Sequence, residues 1–343
     1  TGLFSGSAVD IDADDRDFGS LESFGRPVKK MRSTKQAKTV TVHPKSVDEI
    51  VSILTNTRKY PSPVRPTGSG SSITRCATTA AGTIVDMTAM NKVIAIDSST
   101  VTVQAGITMR DLAENLAMGG MELVSGCAEP DRTVGGALSS GSLSVGLPGS
   151  GRQLASSVCQ ISMVRSDGCR VDVTEKLPDL LVLVRESYGL LGIIHSVKLK
   201  IRPIHDFQIK SHKFDFDGFA EVLPGFVKTA GALRASVMPF KDRVYAELRC
   251  PAEGSTRAAI LRWKLRDWAA NSVLPSVVKS VNKVVPIGSL RDPLIDGMTD
   301  ATQALMGSGF TEAGNNAAEQ TGRFRVITPP EDIVSCTWSV SYT

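Results

Sequence analysis

The chain has 343 residues with 41% hydrophobic and 22% charged side chains, a composition that supports an ordinary globular core. Its net charge of +4 is small for that length and no nucleic-acid-binding motif accompanies it, so we expect no nucleic-acid partner. The six cysteines form no CxxC pair and the four histidines are scattered, which disfavours a metal site. No apolar run approaches the roughly 20 residues that cross a bilayer, and we expect a cytoplasmic protein.

The first part of the chain alternates short strand and helix signals. Residues 1–22 are rich in Gly, Ser and Asp without a signal-peptide pattern, and we interpret them as an irregular lead-in. Capping residues Ser46 and Thr108 predict helices that begin at Val47 and Met109, the second ending at Met118. Strands are predicted at 39–42, 83–87, 93–97, 100–105, 159–165, 170–174 and 193–201, with one further helix near 177–186.

The amino-acid composition of the sequence changes after residue 205. Glycine becomes less frequent, and all three tryptophans lie beyond this point. We therefore predict a domain boundary here, between domains at 23–205 and 206–343. The second domain should contain a strand at 243–249 and a basic amphipathic helix at 256–271.

A first glycine-rich loop, Gly68-Ser69-Gly70-Ser71-Ser72, follows the strand-like segment 64–66. Successive backbone N–H groups with little side-chain hindrance can bind phosphate oxygens. The alternative is a flexible surface turn, which favours the same residues. A dinucleotide-binding βαβ unit would need a third glycine and a longer helix, and a P-loop would need GxxxxGK[ST]. Neither pattern is present, so a phosphate site here would lie between two strands.

A second loop, 130–142, contains the sequence Thr-Val-Gly-Gly-Ala-Leu-Ser-Ser-Gly-Ser from Thr133 onward. Gly135 and Gly136 permit close approach of the main chain, and the small residues after them leave room for something flat and bulky. The serine hydroxyls can donate hydrogen bonds to carbonyl and ring-nitrogen acceptors. The alternative is close packing of a helix against a sheet.

Together these segments resemble the FAD-binding domain of the vanillyl-alcohol oxidase family, also called the PCMH type. The similar segments, 64–72, 83–87, 100–106, 133–142, 166–168 and 188–203, come in the family's order. Within the family, the chain is most similar to the sugar-lactone and alditol oxidase branch. The resemblance implies an α+β fold with a two-lobed FAD-binding domain, followed by a substrate (cap) domain with an antiparallel sheet and flanking helices.

The resemblance also implies FAD as the cofactor and gives three segments a role in holding it. The first loop would wrap the pyrophosphate, the second would line the flavin and its ribityl chain, and 192–194 would contact the cofactor through backbone groups. The implied cofactor-binding residues are Pro66, Thr67, Gly68, Ser69, Gly70, Ser71, Ser72, Thr133, Gly135, Gly136, Ser139, Ser140, Gly141, Ser142, Gly192, Ile193 and Ile194.

Two departures from the family pattern shape the functional expectation. Many relatives carry a flavin-linking His in the first loop where this chain has Ser71, so we expect dissociable FAD. The segment 337–343 lacks the Glu-Tyr-x-x-Pro-like pattern of sugar and polyol oxidases, which counts against sugar oxidation. The chain also stops where relatives usually continue, so part of the cap domain and some catalytic groups could be missing from the sequence.

Three residues are candidates for catalysis. Alternation in the strand 243–249 places Glu247 and Arg249 on one face with Tyr245. Glu247 could take a substrate proton and Arg249 could hold an anionic group or the reduced flavin, whereas a solvated surface ion pair is the alternative. Tyr188 could hydrogen-bond the substrate, and a packed aromatic is the alternative. We interpret His195 as structural.

We therefore predict an FAD-dependent oxidoreductase, an oxidase or dehydrogenase that acts on an alcohol-, lactol- or, less readily, amine-bearing small molecule. A non-catalytic FAD-binding partner subunit and a biosynthetic oxidative cyclase are the alternatives. Trp263 and Trp268 on the basic helix could touch a membrane surface, but inward packing of these rings is favoured.

Overall fold

A computed structural model describes residues 39–72, 77–126, 129–142, 153–229, 232–238 and 242–252, together with 268, 273, 276–277, 280, 297 and 312–315. The lead-in 1–22, most of the predicted helix 256–271 and the segment 337–343 lie outside the described residues. Within the part of the chain that is described, no helix is long and apolar enough to cross a membrane.

The described chain contains both helices and strands. The helices are α1 (Val47–Thr55), α2 (Met109–Met118), α3 (Val134–Ser139), α4 (Pro178–Val184) and α5 (Phe216–Thr229). The strands are β1 (Thr39–Val42), β2 (Val64–Thr67), β3 (Gly82–Asp86), β4 (Val93–Ile96), β5 (Thr100–Gln104), β6 (Met121–Leu123), β7 (Val158–Val164), β8 (Arg170–Thr174), β9 (Ile193–Pro203), β10 (Asp206–Phe214), β11 (Ala232–Met238), β12 (Arg243–Pro251) and β13 (Glu312–Asn315).

The first sheet is parallel and small, with strands in the order β1-β3-β2. Helix α1 begins after Ser46, whose hydroxyl accepts a hydrogen bond of 3.2 Å from the Glu49 N–H and so caps the helix. The apolar face of α1 buries Ile50 and Ile53 in one cluster with Val85 of β3. Because β2 and β3 are parallel neighbours, their carboxyl ends lie at the same edge of this sheet.

The second sheet is antiparallel, with the order β4-β5-β9-β7-β8 and with β6 paired to β9. Its strands alternate as the sequence predicts, since Val101 and Val103 of β5 are buried while their neighbours are partly exposed. Helix α2 is capped by Thr108 and contributes Met109 and Leu112 to the same core. The predicted strands and helices of 39–203 are confirmed here, with ends that shift by at most two residues.

The third sheet begins at Asp206 and has the order β11-β12-β10-β13. Helix α5 packs on one side of it, where the rings of Phe219 and Phe226 lie 6.0 and 5.7 Å from that of Phe214. Phe214 pairs with Val244, so both side chains lie on the side of the sheet that faces α5. Alternation along β12 places Ala246 and Leu248 on that side too, and the odd-numbered residues of β12 on the opposite side. The mixed helix-and-sheet class is confirmed, and the division into cofactor and cap domains stays a prediction.

Candidate functional site

The two predicted glycine-rich loops meet in the fold. A Cβ atom placed on Gly68 would lie 2.1 Å from the Oγ1 of Thr133, so only glycine allows this approach. Gly70 has a left-handed backbone (φ +70°), and nothing lies within 4 Å of where its Cβ would be. One glycine therefore brings the loops into contact, and the other leaves open space beside them.

An open cleft that encloses about 800 Å³, continuous with solvent, lies between these loops. The cleft lies just beyond the carboxyl end of β2, the position at which parallel strands commonly bind ligands. Its described lining consists of Pro66, Thr67, Gly68, Ser69, Gly70, Ser71, Ser72, Ala77, Met87, Ala105, Arg132, Thr133, Gly135, Gly136, Ser139, Ser140, Tyr188, Gly189, Gly192 and Ile194.

The second loop is fixed by main-chain hydrogen bonds to the end of β5. The Val134 N–H donates to the Ile107 carbonyl and the Gly135 N–H to the Ala105 carbonyl, both at 2.8 Å. A Cβ on Gly135 would lie 3.0 Å from that of Ala105, so this close pairing also favours glycine. Thr133 then caps α3, because its Oγ1 accepts from the Gly136 N–H at 3.3 Å.

A third segment, 186–192, closes another side of the cleft. Glu186 and Tyr188 both have left-handed backbones, with φ of 57° and 50°. The Tyr188 N–H donates to the Ser139 carbonyl at 3.0 Å, and a Cβ on Gly189 would lie 3.0 Å from the Pro66 ring. The Tyr188 side chain is 51% exposed and lines the cleft, so it is not the packed aromatic of the alternative interpretation.

Arg132 supplies positive charge to the cleft wall. Its side chain is 14% exposed, and its Nη1 donates to the hydroxyls of Ser140 and Ser142 at 2.8 and 2.9 Å. Its Nη2 pairs with the Glu129 carboxylate. The Nε atom is buried and has no hydrogen-bond partner in the described structure. The glycines of this loop are visible in the sequence, but no pattern marks Arg132 itself.

Most of the predicted cofactor residues come together at this cleft. Those that line it are 66–72, Thr133, Gly135, Gly136, Ser139, Ser140, Gly192 and Ile194. Gly141, Ser142 and Ile193 are absent from the described lining, and Ile193 lies in the core with an exposure of 2%. The lining residues that sequence reasoning missed are Ala77, Met87, Ala105, Arg132 and Gly189.

The hydroxyl groups of the second loop are partly engaged within the protein. Ser140 Oγ donates to the Gly136 carbonyl at 2.8 Å and accepts from Arg132. The hydroxyl proton of Ser140 is therefore used within the protein, and this hydroxyl can only accept a hydrogen bond from a ligand.

Glu247 and Arg249 lie on the third sheet and are not among the described residues that line the cleft. They share the face of β12 that is turned away from α5, as the alternation predicts. Arg249 is 1% exposed, and its Cζ lies 5.0 Å from the centroid of the Phe207 ring. This burial does not match a solvated surface ion pair. Their catalytic roles stay predictions.

His195 follows Ile194 of the cleft lining, and its structural role stays a prediction. Burial lowers the pKa of its imidazole below the ordinary value, and its carbonyl accepts the Ala105 N–H at 3.0 Å. The described part of the chain contains no group of three or more His, Cys, Asp or Glu side chains placed to hold a metal ion.

The cleft matches the needs of a dinucleotide with a flat ring system. Main-chain N–H groups at 68–72 carry little side-chain hindrance because glycine and serine dominate there, and the space beside Gly70 is open. The guanidinium of Arg132 adds a positive charge to the wall of the cleft. Thr67–Ser72 and Thr133 remain the residues predicted to hold FAD, and they line this cleft.

Comparison with known proteins identifies this part of the chain. A family described as an FAD binding domain matches residues 39–174. L-gulonolactone oxidase of mouse (Mus musculus) is 32% identical over 163 residues, and that of cattle (Bos taurus) is 31% identical over 204. These matches cover 47% and 59% of this chain but only 36% and 46% of the relatives' own lengths.

Two further similarities extend this result. The mitochondrial L-galactono-1,4-lactone dehydrogenase 2 of rice (Oryza sativa subsp. japonica) is 33% identical over 157 residues, which is 44% of this chain and 26% of that protein. The crystal structure of cholesterol oxidase from B. sterolicum superposes with a TM-score of 0.63 at 16% identity, covering 83% of this chain and 60% of that one. At that identity the likeness concerns the fold alone. Residues 39–174 thus match an FAD binding domain, this part of the chain is similar to sugar-lactone oxidases and dehydrogenases, and the cofactor is FAD.

Proposed function

We propose that this protein is an FAD-dependent oxidoreductase that oxidises a CH–OH carbon of a small sugar-derived molecule, a lactone or lactol. The observation that carries the proposal is the convergence of three chain segments on one cleft with Tyr188 half exposed at its wall. The lactone-oxidising relatives supply the substrate class, although the chain spans less than half of their length. A cytoplasmic location is part of the proposal and rests on the sequence.

The chemistry divides between cofactor and protein. When bound, FAD accepts the hydride that leaves the substrate carbon. The hydroxyl on that carbon must lose its proton, and Glu247 is the proposed acceptor. Tyr188 would orient the substrate through its phenol hydroxyl, and Arg249 would bind an anionic substrate oxygen. The product is then a carbonyl compound, with both electrons on the cofactor and the proton on the protein.

We also propose that FAD is held without a covalent bond. Ser71 occupies the position where the resembled family often carries a flavin-linking histidine. Its Oγ lies 3.3 Å from Ser69 Oγ, so the two hydroxyls can exchange a hydrogen bond at the exposed side of the loop. A serine hydroxyl lacks the nucleophilic ring nitrogen that a histidyl link uses.

The test begins with the purified chain reconstituted with FAD. The bound flavin should lose its absorbance when an aldonolactone such as L-gulono-1,4-lactone is added without oxygen. The colour should return with oxygen for an oxidase, or with an acceptor dye alone for a dehydrogenase. If the flavin binds but keeps its absorbance with lactones, lactols and alditols, the proposed activity is wrong and FAD remains the cofactor.

A non-catalytic FAD-binding subunit is the second candidate. The observation that favours it is that the described residues lining the cleft include no carboxylate to act as a base. In that case photoreduced flavin would reoxidise in air, but no small-molecule donor would reduce it.

A further inference from the structure

Large apolar side chains are exposed on the third segment of the cleft wall. Leu190 is 75% exposed and Leu191 is 45% exposed, and they follow Tyr188, which is 51% exposed. Tyr188 lines the cleft, and so do Gly192 and Ile194, so the two leucines interrupt the lining segment. We call Tyr188, Leu190 and Leu191 the apolar rim. Single exposed apolar residues are common in proteins, but a group of large ones marks a binding surface.

A tight turn fixes the apolar rim beside the cleft. The Leu190 N–H donates to the Ser187 carbonyl at 2.9 Å. The two residues between them, Tyr188 and Gly189, have left-handed backbones with φ of 50° and 74°, which is the pattern of a type I′ turn. The Tyr188 N–H donates to the carbonyl of Ser139, the last residue of α3, at 3.0 Å. Main-chain contacts therefore anchor the rim at the cleft.

The proposed reaction needs two ligands with different surfaces. A sugar-derived lactone or lactol carries hydroxyl groups over most of its surface, so leucine side chains offer it little stabilisation. An FAD-dependent oxidoreductase also needs an acceptor for the electrons that the cofactor has taken up. Molecular oxygen is too small to cover such a rim, whereas a flat apolar acceptor would remove leucine and phenol-ring surface from water when it binds.

We propose that the apolar rim binds an apolar electron acceptor of the quinone class. This inference rests on the proposed FAD-dependent function. The quinone takes the hydride equivalent that the reduced cofactor holds and the proton that the substrate hydroxyl released. It leaves as a hydroquinone, and the cofactor is oxidised again. Contact with Leu190 and stacking on the Tyr188 ring hold the acceptor beside 192–194, the segment predicted to contact FAD.

The experiment follows the reoxidation of photoreduced flavin in the FAD-loaded protein without oxygen. Menadione is the apolar acceptor and ferricyanide is the hydrophilic one, each mixed over a range of concentrations by stopped flow. Leu190→Gln is compared with the wild type, and Met118→Gln is the matched control. Met118 is 80% exposed at the end of α2 and is not among the described lining residues. Gly120 accepts the Ile204 N–H at 3.0 Å, so Met118 lies beside the end of β9 opposite to Ile194.

The wild-type rate should rise with menadione concentration to a plateau, because a complex forms before the electrons move. Leu190→Gln should raise the half-saturating menadione concentration by about 10-fold and keep its ferricyanide rate and FAD affinity within about twofold of wild type. Met118→Gln should match the wild type in all three quantities. Leu191→Gln should act in the same direction as Leu190→Gln, so the test still holds if one of the two variants fails to load FAD.

Four results would overturn the inference. A rate proportional to menadione concentration, with the same slope in wild type and Leu190→Gln, would show that the rim does not bind the acceptor. Equal losses with menadione and ferricyanide would show that Leu190→Gln disturbs the flavin itself. A change in the half-saturating concentration of an aldonolactone, without one for menadione, would assign the rim to the substrate. A wild-type dimer that Leu190→Gln converts to a monomer in gel filtration, with unchanged menadione kinetics, would assign the rim to a second copy of the chain.

Failure of this inference can be distinguished from failure of the proposed function. If the wild type binds FAD and an aldonolactone reduces it, but menadione reacts without any effect of Leu190→Gln, only the acceptor site is wrong. If the wild type binds no FAD, or no lactone or lactol reduces the bound flavin, the proposed function is wrong as well.

Discussion

Gly68 and Thr133 are in direct van der Waals contact, and the Thr133 hydroxyl occupies the place where a side chain at residue 68 would begin. This contact joins the loop after β2 to the start of α3. It brings the predicted phosphate-binding loop beside the predicted flavin-binding loop, although 64 residues separate them along the chain. The cleft exists because these two loops approach so closely.

We expect Gly68→Ala to weaken FAD binding by at least about tenfold. Its Cβ would lie 2.1 Å from Thr133 Oγ1, so one loop must move, and the N–H groups that face the cofactor would move with it. Titration of the stripped protein with FAD, followed by flavin fluorescence, measures this effect.

The control for that variant is Gly120→Ala. Gly120 also has a left-handed backbone (φ +68°), but nothing lies within 4 Å of its Cβ position and it does not line the cleft. This change should cost about 1 kcal/mol of unfolding free energy through backbone strain and leave the FAD affinity unchanged. Equal FAD affinities for Gly68→Ala and wild type would show that the loop contact does not set the site.

Most of the elements between 39 and 203 could be predicted because their signals are local. Ser46 and Thr108 are capping residues that act within one helical turn, and the alternation of β5 follows from burial of one face. Helix α3 was not predicted, since its two glycines disfavour a helix. Burial of Val134, Ala137 and Leu138 in the core overcomes that local preference.

The parts of the site that sequence could not predict depend on tertiary contacts. Arg132 reaches Ser140 and Ser142 only because α3 turns the chain back toward it. The spacing of these residues in the sequence does not predict such a contact. The strands β10 and β11 and the helix α5 were also missed. Pro224 inside α5 disfavours a helix there, and the packing of Phe219 and Phe226 on Phe214 is visible only in the fold.

The flavin should leave the protein when the protein unfolds. We expect trichloroacetic acid to precipitate a colourless protein and to leave all of the FAD in the supernatant, because Ser71 offers no ring nitrogen for a covalent link. Absorbance of the two fractions measures this. A fluorescent flavin band that stays with the protein on a denaturing gel would show that another residue forms the bond.

Glu247→Gln should lower turnover by about 10²- to 10⁴-fold and leave the dissociation constant for FAD unchanged. The proposed role of Glu247 is to accept the substrate proton, and it is not among the described residues that line the cofactor cleft. Steady-state rates with an aldonolactone measure the first quantity, and flavin titration measures the second.

Glu221→Gln is the matched control for Glu247→Gln, because Glu221 is exposed on α5, on the opposite side of the same sheet. Its turnover should equal that of the wild type. If Glu247→Gln also keeps wild-type turnover, the base is elsewhere, and the residues outside the described part of the chain become the place to search.

A last prediction concerns Glu122 of β6, which is 2% exposed and lies outside the described lining of the cleft. Burial raises the pKa of its carboxyl above the ordinary value of 4.5, and the hydrogen bond of 2.9 Å from Arg202 Nε and the nearby His205 only partly oppose that rise. The folded state therefore keeps this proton to a higher pH than the unfolded chain does. Stability from this group is present below about pH 4.5 and is lost as the pH rises through the raised pKa.

Glu122→Gln removes this titration and keeps an oxygen that can accept from Arg202. The variant should therefore gain unfolding free energy relative to the wild type as the pH rises from about 4.5 to 8, as measured by urea denaturation at each pH. Glu114→Gln on the exposed side of α2 should show no such trend. A wild type that instead gains stability over the variant with rising pH would mean that the attraction of Arg202 outweighs the desolvation of Glu122, and that the pKa of this carboxyl is lowered in the fold.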